Sequence, residues 1–331
     1  MMTCCTRLFA LVAILIAMSV PAEGQKVFKV NHFVDSVLTA RYWRANIDTN
    51  YVTRPQTKWT LMARFNESGA RISTEGVRKI GHFKSDLEAE RKMTVSVGVS
   101  YLGLALNLSL NPGKMLGKYH DYELGFRSYG RRFGYDISYQ DASNFTGSQE
   151  VNGERIEFTT SENMYNLRTL NVNAYYVFNQ RRFSYPAAMA YSYLQRRSAG
   201  SFLLAASGQG QHAKANGGGQ TMDFKMTNIG IGGGYGYNYV PGRGWLLHLS
   251  VLPALIVYSN TSLTVDENKI PLHYQFPELI ITARSAIVKQ IGHNKFAGLT
   301  AVYNYSRIGK DDDLSVRNRK WQARLYFGFR L

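Results

Sequence analysis

The chain has 331 residues, 39 Lys and Arg against 23 Asp and Glu (net charge +16), and two cysteines, Cys4 and Cys5. Both cysteines precede the apolar run Leu8 to Met18, so an exported form that sheds this run has no thiol, no disulfide and no Cys-ligated metal. No later stretch reaches the roughly 18 uninterrupted apolar residues of a membrane-spanning helix. A basic balance ordinarily suggests nucleic acid. No Lys/Arg run interleaved with aromatics is present, and an exported protein rarely meets nucleic acid, so that partner is set aside.

Arg7, the apolar run and the small residues Ser19 to Gly24 have the order of a secretory signal, with Val20 and Ala22 suited to a cut after Ala22. Residues 1–24 are therefore expected to be a signal peptide. Val34 to Asn46 reads as a short helix with Asp35 or Ser36 as N-cap. Residues 25–56 are expected to be a periplasmic or plugging extension that ends at Arg54-Pro55, and residues 57–331 the main body.

From Thr57 onward, alternation with period two dominates. Trp59, Leu61, Ala63 and Phe65 alternate with Lys58, Thr60, Met62 and Arg64; Val95, Val97 and Val99 alternate with Thr94, Ser96 and Gly98. Leu104 to Leu110, Asp121 to Arg127 and Arg132 to Gln140 repeat the pattern. One face is apolar, the other polar, charged or Gly, as in a barrel with lipid outside and a polar lumen. Further strands are expected at about 165–178, 185–207, 222–240, 244–258, 275–290, 295–307 and 319–331. Splitting 93–110 at 101–103 and keeping 185–207 whole gives twelve. The short connections are then 101–103, 130–131, 179–184, 241–243 and 291–294. The long ones are 66–92, 111–118, 142–164, 208–221, 259–274 and 308–318. Strict alternation of short and long is the one-sided loop pattern of an all-β, antiparallel outer-membrane barrel. A soluble exported β-sandwich is the competing fold.

The last strand places Trp321, Ala323, Leu325, Phe327, Phe329 and Leu331 on one face, a terminal pattern that barrel-assembly machinery reads. The expected partners are this machinery and outer-membrane lipid; no small-molecule ligand is indicated. The six long loops together carry −1, so the excess positive charge lies elsewhere. Lys58, Arg64, Arg127, Arg132, Arg284, Lys320, Arg324 and Arg330 are assigned to the lumen, against Asp121, Glu123, Asp136 and Glu278. This predicts either a wet lumen favouring anions or a closed, ion-paired interior; the second is preferred.

Gly230, Gly232, Gly234 and Gly236 share a strand face, so they do not make a nucleotide loop, which needs strand, glycines and helix in that order. They suggest room for an inward segment. The His have no metal spacing beside a carboxylate, and Asp311-Asp312-Asp313 reads as a solvated acidic loop, so no cofactor or metal is expected. His248 and Ser250 lie on one strand face, within reach as base and nucleophile. The pair resembles the His-x-Ser of outer-membrane phospholipase A, a twelve-stranded barrel. That motif continues with Asn-Gly where this chain has Val251-Leu252, and the sequence names no residue to orient the imidazole.

Asp48-Thr-Asn-Tyr51 with Pro55 and Trp59, Gly98-Val-Ser-Tyr101-Leu-Gly103-Leu, Tyr129-Gly130 with Phe133-Gly134, and Ser198-Ala-Gly-Ser201-Phe202 resemble an uncharacterised family of Gram-negative outer-membrane barrels, domain of unknown function 4421. The resemblance implies fold and location, and marks Gly103 and Ser198 to Ser201 as structural. It implies no activity. The readings carried forward are a pore or a structural or binding barrel, a barrel-borne lipid hydrolase using His248 and Ser250, and the soluble sandwich.

Overall fold

The computed structural model describes residues 35–37, 39–40, 43, 46–78, 81–89, 91–102, 104–110, 122–143, 145–151, 153–159, 164–217, 220–265, 268–271, 277–309 and 314–331. The expected signal peptide and Asp311 to Asp313 lie outside them. The chain divides into two compact units, before and after the Asn46/Ile47 junction. In the first, residues 35–37, 39–40 and 43 are helical, within the expected helix, and Thr39 Oγ1 donates to Asp35 Oδ1 at 3.0 Å.

The second unit is antiparallel sheet. In chain order its strands are β1 (Val52–Thr53), β2 (Trp59–Arg78), β3 (Gly81–Ala89), β4 (Lys92–Tyr101), β5 (Leu104–Leu110), β6 (Tyr122–Tyr129), β7 (Phe133–Ala142), β8 (Phe145–Val151), β9 (Glu154–Thr159) and β10 (Tyr165–Val177). A short helix, α1 (Tyr185–Met189), follows. Then come β11 (Leu194–Gln195), β12 (Ala199–Gly217), β13 (Gln220–Gly242), β14 (Trp245–Val265), β15 (Asn268–Pro271), β16 (Leu279–Ile291), β17 (Lys295–Ile308) and β18 (Leu314–Arg330).

Pairing runs β2-β4-β5-β6-β7-β10-β12-β13-β14-β16-β17-β18 and returns from β18 to β2, so among the described residues the ring closes. Closure leaves no pair of facing open sheets, and the sandwich is set aside. The outward positions of the ring strands are apolar and exposed: Val97, Leu249 and Leu325 are 60% exposed or more, while Ser96 and Ser250, on the inner face, are buried. Each large apolar side chain is about 1.5–3 kcal/mol better off out of water. A belt of them on the outer face needs hydrocarbon around it, which makes this a transmembrane barrel.

Two expectations change. Residues 185–207 are not one strand, and 179–184 is not a short turn. Between β10 and β12 the chain folds inward as residues 178–198, with α1 in the middle. Ser184 caps α1, accepting from Ala187 N at 3.2 Å, and Pro186 sits in the first turn where a missing N–H costs nothing. The expected long loops are also largely strand. β2, β12, β13, β14 and β18 run on past the belt, and β3, β8 and β9 add a ribbon to the distal half of β2. Beyond the belt the apolar face turns inward, where Ala89, Phe145, Tyr165 and Leu167 pack together, so the belt's alternation lapses while pairing continues.

Candidate functional site

The inward segment fills one end of the lumen. Phe183 to Tyr193 are all buried. A turn starts it: Asn179 N donates to Ser201 Oγ (2.8 Å) and Asn179 Nδ2 to Gly200 O (2.8 Å). Gln195 ties its two ends together. Its Nε2 donates to Arg182 O (2.6 Å) and Arg197 O (2.8 Å), while its Oε1 accepts from Ser184 N (2.9 Å). β11 pairs with β1, Asp48 N donates to Arg181 O (2.9 Å), and Arg182 lies 5.0 Å over the Tyr51 ring. Residues 47–53 thus clamp the inward segment from within the barrel unit.

His248 and Ser250 face this segment from β14. Register places Asn238 of β13 opposite His248. Asn238 Nδ2 donates to Ser184 O (2.9 Å) and Gln195 Oε1 (3.0 Å), which leaves its Oδ1 as the acceptor of His248 Nδ1–H at 2.7 Å. The neutral imidazole then presents Nε2 as an acceptor to the Ser250 hydroxyl at 3.1 Å. Ser250 has spent its proton, so Tyr185 O–H donates to Ser250 Oγ at 3.0 Å. The chain of bonds has the polarity of a Ser-His-Asn arrangement. It is also fully enclosed: Asn238, His248, Ser250 and Tyr185 are each at most 3% exposed. The sequence left the imidazole without an orienting group; Asn238 supplies it.

Glycines make the room. A Cβ on Gly236 would lie 3.0 Å from the Phe183 ring and 3.3 Å from Ser250 Cβ, so one glycine of the run serves the inward segment. Gly232 and Gly234 do something else: a Cβ there would overlap the backbone of β14 at Pro253 and Val251. Pro253 cannot donate to the ladder, and the β13–β14 pairing skips there. Ser198 Oγ accepts from Val240 N (2.9 Å) and Ser201 Oγ donates to Phe202 O (2.7 Å), so both serines tie the start of β12.

The lumen charges divide. Arg284 of β16, fully buried, reaches across the lumen to Asp136 of β7, Nη2 to Oδ2 at 2.7 Å. Asp136 also accepts from Asn173 Nδ2 (3.0 Å), whose Oδ1 accepts from Ser207 (2.9 Å). Buried Arg330 donates to Tyr191 O (3.1 Å) and Gln290 Oε1 (2.7 Å), and its guanidinium lies 4.6 Å over Phe296. Arg64 and Arg324 are buried, donating to Met62 Sδ and Gln322 Oε1. Lys320 is half-buried beside the Arg284–Asp136 pair. Glu278 is buried at the start of β16 and accepts from Gly309 N at 2.8 Å, away from that pair. Lys58 and Arg132 are exposed at the barrel end, not inside; Arg132 Nε donates to Gln180 at 2.9 Å. Asp121 and the side chains of Glu123 and Arg127 lie outside the described residues. The assignment of all eight cations to the lumen is therefore corrected: Lys58 and Arg132 sit on the rim, while Arg284 and Arg330 are buried inside with partners.

Aromatic contacts pack the inward segment against the wall. Tyr185 packs on Tyr175 (4.5 Å between centroids) and Tyr129 (6.0 Å), and Tyr191 on Tyr326 (4.2 Å) and Phe296 (4.8 Å). Tyr191 takes a positive φ of 60° to aim its ring there.

The family model described as Domain of unknown function (DUF4421) matches residues 46–331. No curated protein matches the chain. Among solved structures, the outer membrane protease OmpT from Escherichia coli aligns at 7% identity and TM-score 0.41, over 84% of this chain and 97% of its own. The β domain of the Bordetella autotransporter BrkA aligns at 8% and 0.33 (83% and 100%). The outer membrane protein OprG from Pseudomonas aeruginosa aligns at 6% and 0.28 (84% and 98%).

Proposed function

We propose that this chain, which belongs to the DUF4421 family of unknown function, is an outer-membrane barrel sealed by its own inward segment, and serves as a structural or binding protein, not a pore. The supporting observation is the Arg284–Asp136 pair, which crosses the lumen just where α1 fills it. A water-filled pore keeps its lining cations solvated and available to passing anions; here the buried guanidinium is spent on a carboxylate of the opposite wall. The expected signal peptide, cut after Ala22, and reading of the last strand by assembly machinery belong to the same proposal. Planar-bilayer recording tests it. The full mature protein should insert without steady conductance steps, and removal of residues 183–193 should produce them. Steady steps from the intact protein would overturn the sealed reading.

A second reading, a lipid hydrolase, is favoured by one observation: Asn238 fixes His248 in the tautomer that accepts the Ser250 proton. Tyr185 covers Ser250, so turnover requires displacement of the inward segment. Phospholipid release by purified protein, lost in Ser250→Ala, is its test; activity unchanged by that substitution ends it.

A further inference from the structure

We infer that the short-turn rim of the barrel binds the phosphate headgroups of anionic phospholipids. The inference rests on the membrane-embedded reading and adds a lipid class and a location to it.

Charge at the two ends is built differently. At the long-connection end, cations are matched locally: Arg71–Asp86 at 2.8 Å, Arg168–Asp141 at 3.3 Å and Arg317–Glu75 at 3.5 Å. On the short-turn rim, outside the lumen that holds Asp136, Asp48 is the one side-chain carboxylate among the described residues, and Arg182 already lies 3.3 Å from it. Around it the short connections and strand ends contribute Arg132, Arg181, Arg197, Arg243, Lys289 and Lys295. They follow a continuous arc from β7 through β10, β12, β13, β14 and β16 to β17. Like charges along one rim repel one another, and anions that join them relieve this.

Aromatic side chains fix the height of this arc. Phe133, Phe178, Phe202, Tyr239, Trp245 and Phe329 all point outward and are exposed at the same end. Such belts settle at the headgroup level. Lys289 Nζ lies 4.9 Å over the Trp245 ring and Lys295 Nζ 5.9 Å over Phe329. Lys289 Nζ also donates to Arg243 O at 2.6 Å, which gathers two cations at one point of the belt. The stems lie along apolar surface while the charges reach the plane where lipid phosphates sit. Arg adds paired donors that match a phosphate. A soluble acidic protein would meet these charges too, but the aromatic contacts put them at the lipid boundary and not on a surface facing away from it.

The test is native mass spectrometry of the full mature chain released from nanodiscs of mixed phosphatidylcholine and phosphatidylglycerol. Retained lipid should be enriched in phosphatidylglycerol over the bulk ratio. Each basic residue near an anionic surface contributes about a factor of five, so the triple variant Arg197→Glu, Arg243→Glu, Lys295→Glu should lose the enrichment. A shift in unboiled gel migration on heating shows that the variant barrel is folded. The control Arg155→Glu, Lys225→Glu reverses exposed cations at the other end and should keep the enrichment. A bulk lipid ratio on the intact protein overturns the inference, as does equal loss in the control. Retention of polyglutamate in place of lipid would reassign the rim to an acidic partner. A chain that never enters nanodiscs fails the membrane reading first, a result distinct from all of these.

Discussion

Arg284 and Asp136 meet at 2.7 Å across the lumen, although β14, β13, β12 and β10 stand between their strands in the ring. Neighbouring strands are braced by their ladders; this pair braces opposite walls. It also lies beside Tyr185, whose ring stacks on Tyr129 and packs at a tilt on Tyr175.

Breaking the pair from one side leaves a buried charge uncompensated, a loss of about 3–5 kcal/mol. Arg284→Met and Asp136→Leu should each lower the guanidinium unfolding midpoint of the barrel in micelles. The double variant should recover most of the loss, because it removes both charges at once. Single variants that unfold like the parent would show that the pair does not brace the walls.

Asn238 has more depending on it than Ser250. Asn238→Ala strips partners from His248 Nδ1–H, Ser184 O and Gln195 Oε1, all buried. An unsatisfied buried group costs about 1–3 kcal/mol. Ser250→Ala removes one hydroxyl between Tyr185 and His248 and should cost less. The local readout is the rate of trypsin cleavage after Arg181 and Arg182, whose side chains are exposed but whose backbone the inward segment holds: Asn238→Ala should speed it in proteoliposomes while Ser250→Ala leaves it at the parent rate. Equal nicking of both variants would contradict the assignment of Asn238 as the latch.

The outer face was legible on β4 and the end of β18 because lipid imposes a strict rule, every second residue apolar; on β14 both faces are apolar, Leu246, Leu252 and Ile256 being buried inside, so its outer face was not legible. The inward segment escaped because Tyr185, Met189, Tyr191 and Tyr193 mimic strand alternation with small residues between them. In the structure Ser184 and Pro186 start a helix there, a local signal that the apparent alternation masks. The ribbons beyond the belt escaped because their apolar face is short and is covered within the fold: Leu87 and Ala89 of β3 and Phe145 of β8 pack with Ala142, Tyr165 and Leu167. Asn238 stands opposite His248 across a tight turn, yet the ladder slips between Tyr239 and Gly242, so counting back from the turn misses it. Asp136 and Arg284 are brought together only by closure of the ring, which no local pattern encodes.

Gly134 holds space for Tyr175. A Cβ there would overlap the phenol ring, which sits between Gly134 and the stacked Tyr129 and Tyr185. Gly134→Ala should therefore destabilise the barrel by about 1–3 kcal/mol, the usual range for overpacking. Tyr175→Leu combined with Gly134→Ala should cost less than the sum of the two single losses, since the second change relieves the first. Additive losses would mean that the ring moves aside freely.

The ribbon outside the ring should loosen in acid before the barrel does. Arg71 Nε and Nη2 donate to Asp86 at 3.2 and 2.8 Å, and Ser73 donates to the same carboxylate. The Arg71 hydrogen bonds hold the Asp86 carboxyl below its ordinary value of 3.8. A lowered folded-state value means that the pair stabilises the ribbon fully above the ordinary value. That stabilisation is lost as pH falls through the lowered one. Both side chains touch solvent, so the effect is local and modest. Hydrogen exchange of β2–β3 amides beyond Arg71 should accelerate over that acid window relative to β13 and β14 amides. Asp86→Asn should exchange fast at neutral pH and show no further acid step. If the parent and Asp86→Asn ribbons follow the same pH course, the ion pair is not what holds β3 to β2.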